Sequence, residues 1–170
     1  MIKHLLIGSL ALFVTQFAQA EITPIKGAFG INLGETPRDD YRSGEVPTKI
    51  GKLFFIKPPI KNENFNEYAV MVTIRTNKIF RIYAEKEQTT ASCNEKIIKV
   101  KKSLEKIYGT LTEANKVYAV KQKNKEIYLT CKVSKINNKE ASLQIKYVDR
   151  KVYEDSLEKT DKNYNDASGL

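Results

Sequence analysis

The sequence predicts an α+β fold: an antiparallel sheet of about six or seven strands, one amphipathic helix packed on one face, and a short C-terminal helix. Three observations carry that expectation. Over 92–109, Cys93, Ile97, Val100, Leu104 and Ile107 recur at steps of four and three, which draws one apolar stripe down a helix. Two-residue alternation marks strands on both sides of it, with Tyr68, Val70, Val72 and Ile74 before it and Ile127, Leu129, Cys131 and Val133 after it. Short polar turns join those strands, and antiparallel neighbours need nothing longer.

Taken in order, the chain opens on a secretory signature. Lys3 and His4 form a basic start, Leu5 to Val14 an apolar core, and Ala18-Gln19-Ala20 a small-residue cleavage site. The apolar run is about half the ~20 residues that span a bilayer. Residues 1–20 are therefore expected to be a signal peptide cleaved between Ala20 and Glu21, with 21–162 forming a single domain and 163–170 a disordered end. The expected location is the periplasm, or outside the cell, with no transmembrane segment left after cleavage.

Gly27 to Gly34 reads as one short strand, with Phe29, Ile31 and Leu33 alternating between glycines. Glu35 to Lys49 is polar, holds two prolines and reads as loop. Lys52 to Ile56 is a strand ended by Pro58-Pro59. The clearest hairpin runs from Tyr68 to Ala84 and turns at Thr76-Asn77-Lys78, with Asn77 as the left-handed residue. Ser92 and Glu95 form a capping box at the helix start, and Gly109 stops the helix. Three strands follow, Lys116–Lys121, Glu126–Val133 and Ser142–Val148. Asp149 then caps a final, mostly polar helix.

The chemistry is narrowed by what is missing. The single histidine is His4, inside the expected signal peptide, so the remaining chain has no imidazole for Ser-His or Cys-His catalysis. Asp39-Asp40 is an acidic pair, but neighbouring residues diverge, and paired catalytic carboxylates come from separate elements. Ser103-Leu104-Glu105-Lys106 has the S-x-x-K spacing of penicillin-binding enzymes without the partner motifs. No phosphate loop, dinucleotide pattern or calcium loop is present. The expectation is no catalytic residue, no cofactor and no metal.

Two cysteines, Cys93 and Cys131, fall on predicted core faces, and export would place them where disulfides persist. A bridge between them is expected. The formal net charge is +9, concentrated between residues 93 and 151, where fifteen Lys or Arg meet six Asp or Glu. Lys99, Lys102 and Lys106 line the outer side of the predicted helix and are the candidate basic surface for an anionic partner.

Phe-Gly-Ile-x-Leu-Gly at 29–34, Pro58-Pro59, Phe65-x-x-Tyr68-x-Val70, Cys93, the 104–109 helix end and Ile145-x-Tyr147-x-Asp149 together form a pattern. It resembles a loose group of small periplasmic proteins of Gram-negative bacteria with no assigned activity. The resemblance implies periplasmic location and carries over no catalytic residue. The reading is thus an exported, non-enzymatic binding or accessory protein whose partner is a protein or an anionic envelope polymer, nucleic acid being disfavoured. The alternatives are an inhibitor or immunity protein against a periplasmic enzyme, and an enzyme that works with carboxylates.

Overall fold

The structure, a computed structural model, describes residues 22–39 and 42–157. The expected signal peptide with its cleavage point, His4, Asp40 and the expected disordered end lie outside the described residues.

An eight-stranded antiparallel sheet dominates, one strand more than the upper expectation. Its strands are β3 (Arg42–Thr48), β4 (Gly51–Ile56), β5 (Glu67–Val72), β6 (Ile79–Thr89), β7 (Thr112–Ala114), β8 (Val117–Gln122), β9 (Lys125–Val133) and β10 (Glu140–Asp149). The spatial order is β3-β4-β5-β6-β10-β9-β8-β7. Two four-stranded meanders therefore meet where their last strands, β6 and β10, pair along nine residues from Glu140↔Thr89 to Val148↔Arg81. The long helix α1 (Thr90–Tyr108) leaves the end of β6 and delivers the chain to the far edge at β7. Residues 150–157 form a second helix, α2, entered through Asp149, whose Oδ1 accepts from the Val152 N–H at 3.1 Å.

Alternation explains the core. Register places Val70, Ile82, Tyr147 and Ile127 in one row and Tyr68, Ala84, Ile145 and Leu129 in the next. All face α1, whose Cys93, Ile97, Val100 and Leu104 are buried against them. Each fully buried aliphatic in such a layer contributes roughly 1.5–3 kcal/mol. Cys93 and Cys131 form the expected disulfide, with their Cα atoms 6.0 Å apart, tying the first turn of α1 to β9. Gln122 closes the end of this layer: its Nε2 donates to Thr23 O at 3.1 Å and Tyr108 O at 3.2 Å, and its Oε1 accepts from the Ile25 N–H at 2.8 Å.

Several local expectations are corrected. Residues 27–34 are a tiny hairpin, β1 (Gly27–Ala28) paired with β2 (Ile31–Asn32), and not one strand. Phe29 and Gly30 turn it with φ of 56° and 78°. Phe29 pays for its left-handed backbone by packing edge-on against Phe65, Tyr68 and Tyr147, with centroids 5.1–6.2 Å apart. The presumed loop before Lys49 contains β3, an edge strand with a register shift between Ser43 and Glu45. The helix begins three residues early: Thr89 is the N-cap and accepts from the Ser92 N–H at 3.2 Å, so Ser92 is not the cap. Ile107 leaves the apolar stripe and is 43% exposed. Asn77 and Gly109 behave as expected, at φ 50° and 89°, and the Gly109 N–H donates to Glu105 O.

Candidate functional site

One long helix cannot cover both faces of an eight-stranded sheet. Among the described residues the face opposite α1 is only partly covered, and there polar and charged side chains take the alternate positions of the same strands. Register orders them in three rows across the sheet. The first runs Met71, Arg81, Val148, Glu126, Lys121. The second runs Ala69, Tyr83, Lys146, Tyr128, Ala119, Thr112, and the third Glu67, Glu85, Gln144, Thr130, Val117, Ala114.

Two carboxylates in these rows, Glu85 and Glu126, are engaged. Glu85 accepts from the Tyr83 hydroxyl, from Ser142 Oγ at 2.9 Å and from Gln144 Nε2 at 3.0 Å. Glu126, with a side chain only 9% exposed, accepts from the Tyr128 hydroxyl and from Arg150 Nε at 2.8 Å, and faces Lys121 Nζ at 3.5 Å. Arg150 also donates from Nη2 to the Tyr128 oxygen at 3.1 Å. Burial alone would raise the Glu126 carboxyl, but the bonds from Tyr128 and Arg150 and the charges of Arg150 and Lys121 outweigh it and hold it below its ordinary value. Burial and then the bond to Glu85 push the Tyr83 phenol well above its own.

Two cations in the middle of the face have no such match. Arg81 makes one weak side-chain bond, from Nη1 to Met71 Sδ at 3.5 Å, and lies 5.8 Å over the Phe80 ring, which is itself stacked on Tyr153 of α2. Its Nε is shut from solvent and has no hydrogen-bond acceptor. Lys146 sits 5.8 Å over the Tyr83 ring. Neither has a carboxylate within ion-pair distance among the described residues. Burial and the neighbouring charge of Arg150 lower Arg81, and burial, Arg81 and Lys132 lower Lys146. Both cations border a hollow of about 500 Å³ that runs toward β7 over Ala114, Val117 and Ala119. A second hollow, about 710 Å³, continues along the same face from Gln144 toward Lys132 and Ile136.

The residues predicted from sequence sit elsewhere. Lys99, Lys102 and Lys106 share one exposed stripe on the outer side of α1, across the sheet from the hollow. Lys99 borders a smaller hollow of about 330 Å³ beside Phe29 and Tyr147. Ser103 spends its hydroxyl on the Lys99 carbonyl at 3.1 Å, and Lys106 stands on the last turn of the helix. Arg81 and Lys146 were not separable from the other basic residues by spacing. Their signal was positional, since both occupy the polar phase of strands whose other phase is core. Among the described residues, no three His, Cys, Asp or Glu side chains converge as metal ligands, and no helix is long and apolar enough to cross a membrane.

The chain matches no family model, no curated protein and no solved structure.

Proposed function

We propose that this is an exported, non-enzymatic binding protein that receives an anionic group on the face of the sheet opposite α1. The observation that carries the reading is the pair Arg81 and Lys146, two half-buried cations without carboxylate partners in a concave part of that face. Half-burying a charge without a partner costs free energy that a bound anion would offset. The disulfide supports the exported part of the reading, since such bridges persist in oxidising compartments. Sequence resemblance to small periplasmic proteins points the same way. The carboxylate-enzyme alternative needs a carboxyl poised to carry a proton, whereas Glu126 is held ionised by its donors.

The test is a backbone-amide NMR titration of the oxidised protein with periplasmic extract separated into protein, polysaccharide and small-molecule fractions. At least one fraction should shift amides of β6, β8, β9 and β10, reversibly with salt, and the shifts should vanish in the Arg81→Gln/Lys146→Gln double variant. Shifts confined to α1 around Lys99, Lys102 and Lys106 would transfer the function to the helix surface. No shifts with any fraction would end the binding reading.

A further inference from the structure

We infer that the hollow beside Arg81 and Lys146 is a site for a small amphiphilic carboxylate, with its head on the two cations and its apolar body over Ala114, Val117 and Ala119. The inference rests on the preceding reading that this face is the binding face.

The Arg81 guanidinium holds one long contact to sulfur and otherwise has no acceptor, and Lys146 stands on the next row of the adjacent strand. A planar fork of donors beside a second cation matches a planar carboxylate. A phosphate is a poorer fit here. Tight phosphate sites usually add backbone N–H groups from a helix N-terminus or a glycine loop, and this floor is strand backbone committed to the β10–β9 and β8–β9 ladders.

Ala119 lies in register between Thr112 and Tyr128, and Val117 between Ala114 and Thr130. The small side chains of Ala114 and Ala119 leave a pit beside Tyr128. Its volume, about 500 Å³, falls within the range of small-molecule sites. The pit is charged at the β6–β10 end, while Ala114, Val117 and Ala119 give its other end apolar surface set among Thr112, Asn115 and Thr130, so it presents the polarity of an amphiphile.

Isothermal titration of the oxidised protein with hexanoate, octanoate, octanol and inorganic phosphate tests this. Octanoate should bind about four- to sixteenfold tighter than hexanoate, the two- to fourfold expected for each added methylene that is partly to fully buried. Octanol and phosphate should each bind at least tenfold more weakly than octanoate. Arg81→Gln and Lys146→Gln should each weaken octanoate about tenfold without lowering the thermal midpoint, and Ala119→Leu, which fills the pit, should erase the difference between octanoate and hexanoate. Octanol equal to octanoate would show that the head is not read, and phosphate equal to octanoate that the body is not read. Either result, or no octanoate binding, overturns the assignment. If octanoate fails while a macromolecular fraction still shifts the sheet amides, the face keeps its function and only this ligand is wrong. If both fail, the reading of the face falls with it.

Discussion

Arg81 and Lys146 are costly residues to place where they are, and that cost can be measured. Each is a cation partly removed from water beside another cation, so removing either charge should relieve the folded state. Arg81→Met and Lys146→Met are expected to raise stability by about 0.5–1 kcal/mol, the usual gain when a residue kept for function is replaced by one that packs. The urea midpoint measures it, and a fall in midpoint would mean that the cations are structural after all. Glu126 should behave oppositely. Its carboxyl sits below the ordinary value because Tyr128 and Arg150 donate to it more than burial penalises it. A depressed carboxyl stabilises fully above its unfolded value, about pH 4.3, and that contribution is lost as pH falls through the lower folded value. Glu126→Gln should therefore cost about 1–2 kcal/mol at neutral pH and flatten the loss of stability on acidification. Urea midpoints across pH 2–7 give both numbers. An unchanged acid limb in the variant would place the acid sensitivity elsewhere.

At the scale of elements, α1 offers the sharpest contrast. Leu104 is buried and Ile107, one turn on, is 43% exposed, although spacing assigns both to one stripe. Leu104→Ala should cost about 2–5 kcal/mol and Ile107→Ala well under half of that. Chemical denaturation of the two variants decides whether the stripe ends where the structure ends it. The helix itself was legible because an amphipathic period is written in the residues that form it. Its start was not, since Thr89, Thr90 and Ser92 are all competent caps and the choice depends on where β6 lets the chain go. β3 and β7 were missed for a related reason. An edge strand with exposed faces needs no apolar alternation, so Arg42–Thr48, with Gly44 and Pro47, looks like loop. β7 has three exposed residues and no pattern to find. Phe29 misled in the other direction: its place in an alternating run marks a strand, but its φ of 56° makes it a turn. The site was harder still. That one long helix leaves much of the other face open among the described residues follows from the count of elements. Which two basic residues meet there depends on the Val148↔Arg81 and Lys146↔Tyr83 register, and no single strand encodes that.

For the whole molecule the disulfide is the main cross-link between layers. It joins residues 38 apart and ties the start of α1 to β9, in the second meander. Closing a loop of that length in the unfolded chain stabilises by about 4 kcal/mol in the chain-entropy account. Reduction, or a Cys93→Ala/Cys131→Ala double variant, should lower unfolding free energy by about 2–4 kcal/mol. Denaturation with and without reductant measures it, and equal midpoints would mean that strain in the bridged state cancels the gain. Reduction and the double variant should agree, because both remove the same cross-link.

The order of the strands has a temporal consequence. β10 is the last of the described strands in sequence and stands in the middle of the sheet, clasped between β6 and β9. Until it arrives, the first meander and the second have no direct strand partner in common, and the layer beneath α1 is missing Leu143, Ile145 and Tyr147. A chain emerging from its N-terminus would thus hold two unfinished halves and close them in a late step governed by contacts far apart in sequence, the kind that form slowly. A keystone that follows all its partners in sequence postpones closure of the sheet until every other described strand is present to receive it.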